Sequence, residues 1–235
     1  MKKKEYLPFS YFYIITFFLS CTLNVYAQTP QIARPDGYAG SRGTTGGGNA
    51  TPITVSTAEA FRSAVNNNNP AVIIVNGRLN VGAVTVGSNK TIVGANTSSG
   101  LYGGTIRVRG TNYIFQNLTI GPSNDDCIEI RGATNVFITK CNFYDGADGN
   151  LDIVRGADFV TVSWCKFYYV NQKDHKFSML IGNGDGVTDD DGKLHITLHH
   201  NWFAEGVNSR MPRVRYGYVH IFNNYYSSSG NNYCI

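Results

Sequence analysis

The chain has 235 residues, a formal net charge of +4 at pH 7, and only 15% charged residues. That length suits one domain of good size. So small a charge excess excludes bulk nucleic-acid binding, and any attraction for a polyanion must come from local clusters. Twenty-six glycines among many Asn, Thr and Tyr favour turns and strands over helices.

Residues 1–27 read as an export leader. Lys2-Lys3-Lys4 gives the basic start, residues 11–19 an apolar run, and Val25-Tyr26-Ala27 a small-residue cleavage site. The apolar run is short for a membrane span. The mature protein is expected to be secreted or periplasmic and monomeric, with no stable membrane span. An alternative anchors it through a lipid on Cys21. Three lysines and one glutamate leave with the leader, so +4 becomes about +2. Residues 28–235 would form one domain. The remaining cysteines, Cys127, Cys141, Cys165 and Cys234, contain no CxxC pair, which speaks against a zinc site.

Residues 28–52, rich in Gly, Thr and Ser, read as an extended lead-in. Ser56-Thr57-Ala58-Glu59 is a capping box that opens a short amphipathic helix to about Val65. Residues 72–75 are a short buried strand. No other stretch carries a helical period.

From residue 91 one eight-residue pattern recurs. It occurs at 91–98, 113–120, 136–143, 160–167, 196–203 and 219–226. The starts are 22, 23, 24, 36 and 23 residues apart, which implies an insertion of about 13 residues after the unit at Val160. A period in the low twenties, with alternating apolar residues in each unit, marks a β-solenoid. Hairpin signals for an up-and-down barrel are lacking. Stacking aligned units puts Asn201 over Asn224, an expected amide ladder. It also puts Cys141 over Cys165, a buried reduced pair in preference to a disulfide, because stacked strands suit disulfide geometry poorly.

The same register places the charged residues. Asp126, Asp148, Asp152, Lys176, Arg210 and Arg215 all follow the same strand on four successive turns. They should share one flank within about 15 Å along the axis, three rises of the strand spacing. The three carboxylates suit a hard cation such as Ca²⁺. The cations suit ligand carboxylates. Taken singly, the aspartates read equally well as turn formers and Lys176 as a solvated side chain. The acidic stretch 185–191 lacks calcium-loop spacing and reads as a solvated loop.

The motifs resemble the pectate lyase family. The resemblance rests on Arg210, Pro212 and Arg215 in Arg-x-Pro-x-x-Arg, and on Asp148-Gly149-Asn150-Leu151-Asp152 followed by Phe159-Val160-Thr161-Val162-Ser163-Trp164. Leu180-Ile181-Gly182, His199-His200-Asn201 and Asn223-Asn224 extend it. It implies an all-β, right-handed parallel β-helix with a short N-terminal capping helix. It also implies Ca²⁺-dependent cleavage of α-1,4-linked polygalacturonate by β-elimination. Arg210 would be the base. Asp126, Asp148 and Asp152 would hold Ca²⁺, and Lys176 and Arg215 would bind substrate carboxylates.

There are departures from the family pattern. Phe137-Ile138-Thr139-Lys140-Cys141 stands where family members carry Trp-Ile-Asp-His-Cys, and Lys176 lies one residue further from Leu180 than usual. The resemblance further implies coils beyond Ile235. Three rivals remain. The first is a polygalacturonase-type hydrolase, suggested by Asn124-Asp125-Asp126 but lacking its Gly-His-Gly and Arg-Ile-Lys segments. The others are a pectin lyase and a non-catalytic β-helix that binds acidic glycan.

Overall fold

The computed structural model describes residues 29–171 and 175–235, and in it the repeat forms a parallel β-solenoid of about seven turns. The leader and Cys21 lie outside the described residues. Each turn contributes one strand to each of three sheets. Sheet 1 stacks Ile53–Val55, Ala71–Val75, Lys90–Gly94, Thr111–Gln116, Thr134–Thr139, Asp158–Ser163, His195–His199 and Tyr218–Phe222. Sheet 2 runs from Arg78–Asn80 to Tyr225–Tyr226 and sheet 3 from Val84–Val86 to Arg213–Val214. Strand neighbours pair in parallel throughout, and for such crossovers the right hand is the rule.

The alternation predicted from the sequence points one set of side chains inward. Tyr113, Val136, Val160 and Ile196 are in register on sheet 1 and fully buried. On sheet 2, Phe143, Phe167, Phe203 and Tyr226 stack with centroids 5.0, 5.3 and 5.0 Å apart. Each buried ring contributes about 1.5–3 kcal/mol, and the stacking adds to it. At the bend after sheet 1 the expected amide ladder forms. Asn201 N–H donates to Asn224 Oδ1 at 2.8 Å, and Asn201 Oδ1 accepts from Cys165 N–H at 3.0 Å. Cys141 and Cys165 are buried free thiols, and burial pushes the Cys165 thiol well up.

The register departs from the sequence reading in the first repeat. Lys90, not Thr91, pairs with Tyr113. Lys90 occupies an inward position, and its Nζ donates to the carbonyls of Asn67, Asn69 and Ser88 at 2.7, 2.6 and 2.9 Å. A lysine there hides the apolar start of the unit. The helix Ala58–Val65 is present, but its N-cap is Thr57, whose Oγ1 accepts from Ala60 N–H. A second helix, Gly37–Ser41, was not expected. It has only one turn, too short to show a period.

That helix belongs to the lead-in, which covers the outer face of sheet 1. Thr161 and Thr197 hydroxyls accept from Ala39 and Tyr38 N–H, and Gln116 Oε1 accepts from Ala33 N–H. At Gly37 a Cβ would lie 2.7 Å from Thr161 and Thr197, so glycine allows the close approach. Ala39, Ile114 and Phe137 form a small second core beneath it. Sheet 3 has no such cover among the described residues.

The long coil spends its extra residues on both sides of one sheet-3 strand, Met179–Ile181. Part lies in the loop before that strand, part in residues 182–194 after it. The second loop is stapled by Asp190, fully buried, whose carboxylate accepts from Gly156 and Asn183 N–H at 2.7 and 3.0 Å. The stretch 185–191 is largely exposed, as expected of a solvated loop, and is pinned at one point by Asp190.

Candidate functional site

The loops that lead from sheet 2 into sheet 3 stack on one another, and they carry the predicted residues. Asp125 and Asp126 precede the strand Ile128–Arg131, and Asp148 precedes Leu151–Val154. His175, Lys176 and Phe177 precede Met179–Ile181, and Arg210 precedes Arg213–Val214. Asp152 lies within its strand. Its neighbours Leu151 and Ile153 face the core, which turns Asp152 outward. It pairs with Glu129 below and Leu180 above, and Leu180 pairs with Arg213.

Carboxylate oxygens of Asp125, Asp126 and Asp148 lie within 4.8 Å of one another. Asp126 is buried, and its Oδ1 has no hydrogen-bond partner among the described residues. Burial first, then Asp152, Asp148, Asp125 and Glu129, push the Asp126 carboxyl up to about 8. Asp152 is pushed up to about 7 by burial, with Arg210 opposing and Asp148 adding to the rise. Crowded carboxylates of this kind hold either protons or a cation. An all-oxygen donor set with an orphaned buried oxygen fits a hard divalent ion.

Arg210 connects to this cluster through an aromatic relay. Its guanidinium carbon lies 3.8 Å from the centroid of Phe177. Phe177 stacks on His175 at 4.6 Å, and His175 Nδ1 lies 3.0 Å from Asp148 Oδ1. Tyr169, buried beneath, places its hydroxyl 2.9 Å from the Phe177 carbonyl and 3.1 Å from that of Gly146, tying two of the stacked loops together. Arg210 sits at φ 58°, and its carbonyl accepts from Met179 N–H at 2.7 Å.

Arg215 lies further along. Its Nε is 2.7 Å from Asp185 Oδ1, and its Nη1 donates to the Asn183 carbonyl at 2.6 Å. Lys176 sits in the same loop as Phe177, and its carbonyl accepts from Asn208 N–H. The structure sets Asp126, Asp148, Asp152, Lys176 and Arg210 along one side of the stacked coils, whereas Arg215, expected to share that flank, is paired with the loop of residues 182–194.

Sequence reasoning weighed Asp125 only as part of a hydrolase-like pair with Asp126, and it passed over His175, Phe177 and Glu129. For two of them the repeat itself carried the signal. Asp125 precedes Asp148 by one coil of the lower solenoid, and Glu129 stands in register with Asp152. His175 and Phe177 lie in a loop of altered length, where the period gives no position.

Comparison with known proteins agrees with the fold. A family model described as pectate lyase matches residues 12–234. A probable pectate lyase B of Aspergillus terreus is 39% identical over 207 residues, covering 83% of this chain and 62% of that protein. Two solved pectate lyases superimpose with TM-scores of 0.72 at 27% identity, each covering 86% of this chain and 74% of the other. One was studied for its substrate specificity and anti β-elimination mechanism, and the other is bound to a hexasaccharide. The chain spans between 42% and 62% of the length of the first curated relatives it matches. On the family match and the shared solenoid, the chain belongs to the pectate lyase family.

Proposed function

We propose that the chain carries the active face of a Ca²⁺-dependent pectate lyase that cleaves α-1,4-linked polygalacturonate by β-elimination. The observation that supports this most is the convergence of carboxylate oxygens of Asp125, Asp126 and Asp148 within 4.8 Å of one another, with Asp126 Oδ1 buried and unpartnered among the described residues.

In this reading Asp126, Asp148 and Asp152 hold Ca²⁺, with Asp125 close enough to join them. When bound, Ca²⁺ supplies positive charge that stabilises the uronate carboxylate as electron density moves into it from C5. Lys176 and Arg215 orient substrate carboxylates by charge-assisted hydrogen bonds. Arg210 takes the proton from C5. The C5–H pair forms the C4–C5 double bond, the C4–O4 bond breaks, and O4 leaves with its electron pair and is protonated by water. A guanidinium is protonated in water, so one of its protons passes to solvent before the step, and the proton from C5 restores the charge. Export through residues 1–27 and action outside the cytoplasm as a monomer belong to the same reading.

The test is absorbance of the unsaturated product on polygalacturonate, with EDTA and with added Ca²⁺. Ca²⁺-restored absorbance is expected. Chain shortening without absorbance would mean hydrolysis, and binding without shortening would mean a glycan-binding module.

A further inference from the structure

One charged group on sheet 3 is not used by that mechanism. Glu129 stands one strand below Asp152, and Arg107 one strand below Glu129. Ile106, Val108, Ile128 and Ile130 face the core, so Arg107, Glu129 and Arg131 face outward along the same flank as the aspartates. Arg109 follows at the end of its strand. Arg109 Nη2 and Arg131 Nη1 each lie 3.2 Å from a Glu129 oxygen, and Arg107 Nε lies 4.0 Å away. Glu129 is 17% exposed, while Arg107, Arg109 and Arg131 are 35%, 45% and 39% exposed.

The stoichiometry is lopsided. Three guanidiniums share one carboxylate and leave a local excess of two positive charges. Each guanidinium carries about five N–H donors, and a carboxylate accepts at about four positions. Most of these donors therefore face solvent. Three guanidiniums held together repel one another, and the single Glu129 carboxylate offsets that only in part. Fixed in a planar fork by a half-buried anion, they are preorganised for further carboxylates.

We propose that Arg107, Arg109 and Arg131 form an additional subsite that binds the carboxylate of an unesterified uronate, on the side of the carboxylate cluster opposite Arg210. The inference rests on reading the flank as a uronate-polymer site. It extends the cleft down the solenoid by one strand, from Ile128–Arg131 to Ile106–Val108. An oligomer short enough to fill only the region between Asp126 and Arg210 does not reach it, and a longer one does.

The test is isothermal titration of the full chain with trigalacturonate and hexagalacturonate in Ca²⁺, every protein also carrying Arg210→Lys so that the oligomers are not cut. The proteins are that background, taken as wild type, and its variants Arg109→Gln/Arg131→Gln, Arg109→Lys/Arg131→Lys, and the charge control Lys193→Gln on the exposed loop of residues 182–194. The glutamine pair is expected to weaken hexagalacturonate binding about tenfold and leave trigalacturonate unchanged. The lysine pair should recover most of the loss, and Lys193→Gln should match wild type. Equal hexagalacturonate affinity in wild type and the glutamine pair overturns the subsite but leaves the lyase reading standing, as does equal weakening by Lys193→Gln. A wild-type chain that binds neither oligomer overturns both.

Discussion

Arg210 rests on the face of Phe177, guanidinium carbon to ring centroid 3.8 Å, and through His175 the same stack ends on Asp148. The ring fixes one face of the guanidinium and leaves its edge toward the cleft. Arg210→Lys keeps a charge but loses the planar fork. It is expected to lower elimination by about 10²–10⁴-fold, the usual worth of a positioned base, with an unchanged circular dichroism spectrum. Phe177→Leu removes only the support, worth about 0.5–1 kcal/mol. Steady-state kinetics should show kcat reduced about two- to fivefold with KM little changed.

The crowded aspartates make metal binding depend on pH. In the metal-free protein Asp126 and Asp152 hold their protons to about 8 and about 7, against an ordinary 3.8. The folded state therefore binds more protons than the unfolded chain between about pH 4 and pH 8, and stability falls as pH rises through that window. Metal ligation needs the carboxylates deprotonated. Ca²⁺ affinity should thus rise with pH to about 8 and then level off, and binding below pH 8 should release protons. Titrations in buffers of different ionisation enthalpy read the proton count. Thermal melts should show a larger gain from Ca²⁺ at pH 9 than at pH 6.

Lys90 is a core residue whose ammonium replaces solvent with three carbonyls, and burial lowers its pKa. Lys90→Met retains the stem and leaves those carbonyls unpaired. A loss of about 1–3 kcal/mol is expected by denaturant titration, the worth of hydrogen bonds to a charged group, with water reaching the carbonyls of the exposed Asn67 and Asn69.

Asn201 closes the bend between sheets 1 and 2 on both sides, accepting from Cys165 N–H and donating to the Val162 carbonyl at 2.9 Å. Asn201→Leu strands both groups. The expected cost is about 2–3 kcal/mol. It should appear together with faster reaction of the Cys165 thiol with a disulfide reagent, because that thiol is otherwise buried.

Legibility in the sequence followed the period. The strands of residues 113–143 and 160–226 were placed in their observed register because Val, Ile and Phe repeat at inward positions. Lys90 broke the reading by one residue, since a buried cation looks like a surface position until its carbonyl partners are known. Where the coil length held, the register brings the expected Asp126, Asp148 and Asp152 together, although Asp125 and Glu129 on the same coils went unweighed as part of that cluster. Where a loop changed length the period gave no position, and His175 and Phe177 were passed over beside Lys176. The helix Gly37–Ser41 was invisible because its reasons are tertiary: Thr161 and Thr197, far along the chain, supply its hydrogen-bond partners.

The longest coil keeps its three strands in step with its neighbours and puts every surplus residue into the two loops that border Met179–Ile181. Strand pairing in the spine is thus indifferent to how many residues each border holds, and a change of length there can be absorbed without shifting the stack.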